Sequence, residues 1–585
     1  MSSSTADPER AIRRFGPTPN PGVASAYRVH APLAPTDLWL AGNEGRAPED
    51  ASNAALRFDS AALDRYPSTD ALVTQIAQRY AVEEASVLVT AGADDGLLRL
   101  ALAYLAEGRE IVLPTPTFVM IERYARLAGG TVVTVDWPAG TPYPTQAVLA
   151  AVTERTSLVA MVSPNNPTGG IATPEDLAAV SEGAPHALVI VDCAYAEFAS
   201  RDLSLDALSL PNTVVLRTFS KAYGCAGLRV GYVLGEPDVI EALRAAGNPY
   251  PCASPSLAAA AVRFDADVAP FVRQVRQERA ELRDLLEELG FESFASDGNF
   301  VYAEGARARI VVELLTGLGI AVRSFPAENA AASAADALRI TCPGDPAQFE
   351  RLRSALLTIE RPEAILFDMD GVLVDVSGSY RRAIIETARR YGVTVSGDDI
   401  ETLKSEGNAN DDWRVTQRLL EAAGVAANLE EVTARFEALY QGTEETPGLK
   451  ATETLLLGRD TLRKIAASWK LGIVTGRPLA DAMYFLELHG IADLFDVVIT
   501  RDDAPLKPDP APTRLALERL GVRRAWLLGD TPDDLRSARG ANVLPVGVLA
   551  PPLGEDDPEP ARRVLRHSGA GTVLDRTTDL LEILP

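Results

Sequence analysis

Largely apolar runs of four to seven residues recur along the chain, each breaking off into small, hydroxylated or acidic residues. Residues 86–89, 156–162 and 187–191 are such runs. Their β-branched content without polar alternation predicts strands buried on both faces of a parallel sheet. Turn chemistry follows each one: Thr90-Ala91-Gly92-Ala93-Asp94-Asp95-Gly96, then Ser163-Pro164-Asn165-Asn166-Pro167-Thr168-Gly169-Gly170, then Asp192-Cys193-Ala194-Tyr195. The pattern restarts at residue 364. Residues 364–367 empty into Asp368-Met369-Asp370-Gly371, residues 469–474 end at Thr475, and residues 525–528 end at Gly529-Asp530. Between these strands, residues 380–388 have helical periodicity, and the stretch 378–448 holds no strand pattern of comparable strength. Two blocks of strand, turn and helix predict an α/β chain with more than one core, as 585 residues require.

The turns carry the candidate chemistry. Lys221 lies among hydroxyls and glycines, in Arg217-Thr218-Phe219-Ser220-Lys221-Ala222-Tyr223-Gly224, with Arg229 close behind. An amine so placed can join an aldehyde cofactor while Thr218, Ser220 and Arg229 bind a phosphate. Alone, the window fits an exposed lysine as well. Its context favours the chemistry: Asp192 at a strand end can keep a pyridine nitrogen protonated, and the turn at 163–170 can aim the Asn166 amide at a ring oxygen. The glycine turn at 90–96 opens a helix, whose free N–H groups suit a phosphate.

With these windows in this order, residues 35–358 resemble a fold-type I pyridoxal-phosphate aminotransferase, most closely the histidinol-phosphate aminotransferase branch. The resemblance implies a mixed, mostly parallel sheet with helices on both faces. It makes Lys221 the Schiff-base lysine, Asp192 the partner of the pyridine nitrogen, and Asn166 and Tyr195 ligands of the ring hydroxyl. Ala93, Asp94, Thr218, Ser220 and Arg229 fall at the cofactor phosphate, and Phe118 stacks on the ring. Tyr66 matches the tyrosine that reaches the neighbouring subunit's cofactor phosphate, so a homodimer is implied. Arg339 matches the arginine for the donor carboxylate, and Arg323 and Asn43 resemble further substrate-facing residues. Two departures stand out: Glu44-Gly45-Arg46 replaces the usual Glu-Asn-Pro, and Cys193 stands where glutamate is usual. The first lies near the expected acceptor position and bears on substrate identity.

In the second block, carboxylates spaced i, i+2 at a strand end repel unless a cation sits between them, and Mg²⁺ is the economical answer. Thr475, Lys507 in Leu506-Lys507-Pro508, and the acids after residue 529 complete the parts that phosphoryl transfer needs. Residues 364–585 resemble the haloacid-dehalogenase superfamily, with a Rossmann-like core (364–377 and 449–585) and a helical cap (378–448). The resemblance implies Asp368 as nucleophile, Asp370 as general acid–base, Thr475 and Lys507 on the phosphoryl oxygens, and a metal site of Asp368, Asp370, Asp530 and Asp534. Asp370 points to phosphoester hydrolysis, although a phosphomutase shares these residues. The polar run 404–413 is the candidate cap face, with a solvated loop as the plain alternative.

Composition narrows the partners. A net charge of −25 argues against nucleic acid and anionic membranes, no stretch of 18 apolar residues occurs, and the first residues lack a signal-peptide pattern. Four cysteines without CxxC spacing indicate neither a disulfide framework nor zinc, and a cytoplasmic enzyme is expected. The expected layout is an N-terminal arm (1–34), the aminotransferase segment (35–358), a linker (359–363) and the hydrolase segment (364–585). The expected function is bifunctional: transamination of a phosphorylated carbonyl compound, then phosphoester hydrolysis, with pyridoxal phosphate and Mg²⁺ as cofactors. Histidinol phosphate formation and dephosphorylation is the specific form. The alternatives are another phosphorylated ketone, or a non-catalytic C-terminal module.

Overall fold

The structure is a computed structural model and describes residues 23, 32–46, 63–326, 336–405, 411–443, 446–551 and 557–585. Residues 406–410 of the polar run, and nearly all of the expected N-terminal arm, lie outside the described residues. The chain divides into two compact units, one of residues 1–29 and 47–268, the other of residues 30–46 and 269–585.

The first unit is built on a seven-stranded sheet. Its spatial order is Val87–Thr90, Gly231–Gly235, Thr213–Thr218, Leu188–Asp192, Thr156–Val162, Glu110–Thr115, Thr131–Asp136. Gly231–Gly235 runs opposite in direction to the other six strands. Val87–Thr90 and Leu188–Asp192 are buried along their whole length, which explains why they read as apolar runs. One face packs Leu97, Leu100 and Ala101 of helix Ala93–Tyr104 against Leu158, Ile190 and Leu216. The turns at residues 90–96, 163–170, 192–195 and 218–221 leave the carboxyl ends of parallel strands, the edge at which such sheets bind ligands.

Among the described residues the second unit holds two larger sheets and two two-stranded pairs. A four-stranded antiparallel sheet runs Arg323–Phe325, Ala337–Thr341, Phe300–Glu304, Glu292–Ser293, and a six-stranded parallel one runs Val497–Ile499, Lys470–Val474, Ala364–Phe367, Ala525–Gly529, Leu544–Val548, Thr572–Leu574. Four helices, from Tyr380–Arg390 to Leu429–Gln441, are inserted after the first strand of the parallel sheet, within the expected cap range. The chain enters and leaves this insertion through a short antiparallel pair, Val374–Asp375 with Thr454–Leu455, which apolar periodicity did not predict.

Residues 269–360 and the parallel-sheet domain are joined by more than the linker. The Trp526 indole donates to Thr358 O at 2.9 Å. Arg307 forms a two-pronged pair with Glu360 and donates to the carbonyls of Ile583 and Leu584 at 3.0 and 3.1 Å. A side chain on Gly317 would lie 2.8 Å from Gly571 N, and one on Gly571 would lie 3.0 Å from the Leu314 backbone, so the two segments meet backbone to backbone. Among the described residues no helix is long and apolar enough to cross a membrane.

Candidate active sites

In the first unit the expected cofactor residues form an anion cup. Gly92, at φ 79°, caps helix Ala93–Tyr104 without a side-chain acceptor, leaving its first-turn amides directed outward. Beside them the Thr218 hydroxyl donates to Ser220 Oγ at 2.9 Å, and Arg229 reaches Ser220 Oγ at 3.4 Å and Asp94 Oδ2 at 3.0 Å. Arg229 itself is left-handed (φ 53°), an uncommon backbone state for a non-glycine residue. The Gly92 Cα approaches its guanidinium so closely that a Cβ would come within 2.7 Å. Glycine is needed there, and the cradle fits a phosphate.

Asp192 ends its strand buried at 4% exposure, with Oδ1 accepting from Ala194 N at 3.1 Å. Burial pushes its carboxyl up to about 6, so a positive partner facing it would be strongly favoured. Half-buried Lys221 places Nζ 5.5 Å from the centre of the buried Tyr195 ring. Cys193, the departure from the family pattern, is fully buried with its thiol pushed up to about 12 by desolvation, hence neutral. Phe118 caps helix Val119–Leu127 and packs on the core edge. Asn165 was missed. Its side chain donates to Pro116 O at 2.8 Å and accepts from the Thr117 hydroxyl at 2.7 Å, locking the two turns together and leaving its neighbour Asn166 half-buried. Two adjacent asparagines in a turn give no sequence signal for which one faces inward.

In the second unit Arg323 and Arg339 are register partners on adjacent antiparallel strands, with the Phe325 ring 6.0 and 5.8 Å from their guanidinium carbons. Buried Arg339 also donates to Ala41 O at 2.6 Å. Fully buried Asn43, left-handed at φ 52°, exchanges hydrogen bonds with Thr341. Arg323 and Arg339 thus lie on one sheet, with Asn43 hydrogen-bonded to its Thr341, and two adjacent cations suit an anionic ligand. Tyr66 is 79% exposed and stacks on Tyr250 at 4.5 Å in the first unit.

The parallel sheet of the second unit gathers the other group at its carboxyl edge. Lys507 Nζ lies 2.7 Å from Asp368 Oδ1 and 2.9 Å from Val474 O, and pairs with Asp534. Burial raises the Asp368 carboxyl against the pull of Lys507, whose ammonium the two carboxylates hold firmly protonated. Asp368, Asp530 and Asp534 each bring an oxygen within 4.8 Å of the others. Gly371 (φ 74°) lies so close to Asp530 that a Cβ would fall 2.2 Å from Oδ2. An all-carboxylate donor set fits a hard divalent cation such as Mg²⁺. The Asp370 carboxylate is not in that cluster. It lies on Arg477, at 2.7 Å from Nε and 2.6 Å from Nη2. Thr475 is buried, its hydroxyl accepting from Arg477 N at 3.1 Å. The cavity above is walled by Asp368, Asp370 and Arg477 from below and by Tyr380, Arg381 and Trp413 of the helical insertion. Arg477 and Glu453 were missed because a single arginine or glutamate in a polar string reads as surface.

Residues 37–356 match the family model described as aminotransferase class I and II, and residues 362–542 the one described as haloacid dehalogenase-like hydrolase. Imidazoleglycerol-phosphate dehydratase of Phytophthora nicotianae is 46% identical over 237 residues, covering 38% of this chain and 52% of that protein. Aromatic amino acid aminotransferase of Mycobacteroides abscessus is 34% identical over 302 residues, covering 50% of this chain and 86% of that one. Histidinol-phosphate aminotransferase of Rhodospirillum centenum is 32% identical over 360 residues, covering 58% and 98%. The chain spans about half the length of the first relative and most of the other two. Among solved structures, histidinol-phosphate aminotransferase from Sinorhizobium meliloti in complex with pyridoxal-5'-phosphate shares the fold, with a TM-score of 0.52 and 24% identity over 60% of this chain and 98% of that one.

Proposed function

The chain belongs to the class I and II aminotransferases, and on that premise we propose a bifunctional enzyme that transaminates a phosphorylated carbonyl compound and then hydrolyses the phosphoester. The observation that carries the reading is the buried Asp368–Lys507–Asp534 group, at the carboxyl edge of a parallel sheet that follows an aminotransferase segment.

For the first reaction, pyridoxal 5′-phosphate supplies an electron sink for the carbon that loses its proton. The cup of Thr218, Ser220, Arg229 and the amides after Gly92 would hold its phosphate, and the Asp192 carboxylate would hold the proton on its ring nitrogen. Lys221 Nζ is the amine that takes and returns the substrate proton. By the family resemblance Arg339, with its planar fork, would take the donor carboxylate and Arg323 the anionic end of the acceptor. The exposed Tyr66, beside an apolar groove formed with Leu72, Leu257 and Ala258, is the natural contact for a second copy, and the reading includes a homodimer.

For the second reaction, Asp368 attacks phosphorus while Lys507 and Thr475 bind the equatorial oxygens. Mg²⁺ held by Asp368, Asp530 and Asp534 would offset the charge of the acids and the phosphoryl group. Asp370 passes a proton to the departing oxygen.

The names of two relatives carry a phosphate ester, which favours imidazole-acetol phosphate as acceptor. With glutamate and Mg²⁺, the protein is expected to yield histidinol phosphate, then histidinol and phosphate. Asp368→Asn should accumulate histidinol phosphate, and Lys221→Ala should hydrolyse supplied histidinol phosphate without making it. Absence of both products rejects this acceptor. The similarity to an aromatic amino acid aminotransferase favours a second reading, in which faster amino transfer to phenylpyruvate would mark an aromatic keto acid as the acceptor.

A further inference from the structure

We propose that Arg477 is the positioning residue that fixes the Asp370 carboxylate for proton transfer, and that Glu453 fixes Arg477. The inference rests on the hydrolase reading above and assigns a part that it leaves open: what holds the acid in place.

The Arg477 side chain is 1% exposed, and its guanidinium is divided between two carboxylates. Nε and Nη2 meet Asp370 Oδ1 at 2.7 and 2.6 Å, while Nη1 and Nη2 meet Glu453 Oε2 and Oε1, each at 3.0 Å. The two-pronged pair with Glu453 sets the guanidinium plane, and so the edge that Arg477 shows to Asp370. Glu453 is equally buried and also accepts from the Ser379 hydroxyl at 2.7 Å and the Tyr440 hydroxyl at 3.2 Å. The Tyr380 ring lies 4.9 Å from the guanidinium carbon. Burying such a charged group for stability alone is poor economy, since apolar residues of the same volume often serve a core at least as well. Its geometry accounts for it better: both contacts fall on Asp370 Oδ1, which leaves Oδ2 to carry the proton, and Asp370 lines the cavity. Ser379 and Glu453 stand beside the two crossings into the helical insertion, so the placement of the acid is set from the crossings themselves.

The chemistry balances. Asp368 Oδ bonds to phosphorus as the ester P–O bond breaks, and the departing oxygen takes the proton of Asp370 Oδ2 and leaves as an alcohol. A water oxygen then bonds to phosphorus, its proton passes to Asp370, and the bond to Asp368 breaks to release phosphate.

The test is a leaving-group series with the full-length protein: alkyl, phenyl, 4-nitrophenyl and 2,4-dinitrophenyl phosphates, compared between wild type, Arg477→Gln and Arg477→Lys. An alkoxide needs the proton and dinitrophenolate does not. Arg477→Gln is therefore expected to lose about 100-fold in kcat on the alkyl ester with little change in KM, and at least about tenfold less in single-turnover release of dinitrophenolate. Arg477→Lys is expected to recover part of the alkyl rate. The dinitrophenolate burst counts intact sites, so misfolded protein is corrected for, and Glu453→Gln should show the same tilt more weakly. An equal loss along the series, or a loss carried by KM, overturns the role of Arg477. If wild-type turnover of every ester survives Asp368→Asn unchanged, the hydrolase reading falls and takes the proposal with it.

Discussion

Asp192 works against the fold that carries it. Its carboxyl sits at about 6 in the protein against 3.8 when free, so its contribution to stability is greatest when protonated and is lost as pH rises through 6. At full ionisation the rise from 3.8 to about 6 corresponds to about 3 kcal/mol. Asp192→Asn without cofactor is accordingly expected to melt above wild type at pH 8. The gap should close as pH falls through 6 toward 4, as followed by calorimetry. On the proposed reading the same variant should bind pyridoxal phosphate more weakly and transaminate at least about 100-fold more slowly, since the acid that would hold the ring proton is gone. This residue was legible because a buried run emptying into a single acid has few structural explanations. Arg477 was not legible, because its carboxylate partners lie 107 and 24 residues away and only the fold brings them together.

Helix Pro532–Gly540 shows one side chain serving two elements. Asp534 Oδ2 closes a capping box, accepting from Thr531 N at 3.0 Å and the Thr531 hydroxyl at 2.6 Å, while Oδ1 faces Lys507. Gly529 makes room for it, since a Cβ there would lie 2.2 Å from Asp534 Cβ. Gly529→Ala should push the helix start outward. The expected results are a Mg²⁺ requirement raised about tenfold or more in a phosphatase titration and a loss of roughly 1–3 kcal/mol in denaturant stability, with transamination unaffected. The strands behind both sites were readable from their apolar runs. The pairing of residues 374–375 with 454–455 was not, because two-residue strands carry no periodicity and only tertiary closure defines them.

At the scale of the whole chain, the two family segments were legible as two motif sets, with a short linker expected between them. Residues 269–360 fall in the same compact unit as the hydrolase segment. That grouping follows from contacts between distant backbone positions, which leave no mark in either segment. Arg307→Ala should reveal it. Removing the guanidinium leaves Glu360, with 4% of its side chain exposed, without that partner, and frees two carbonyls near the chain end. A loss of about 2–4 kcal/mol is expected, with the phosphatase thermal half-life shortened although the substitution lies outside the hydrolase segment. The meeting of Gly317 with Gly571 has a further consequence. A different hydrolase domain grafted after residue 360 would need a bare Cα at the place of Gly571 to seat against the helix that ends at Gly317, so a swap of domains has to carry its glycine with it.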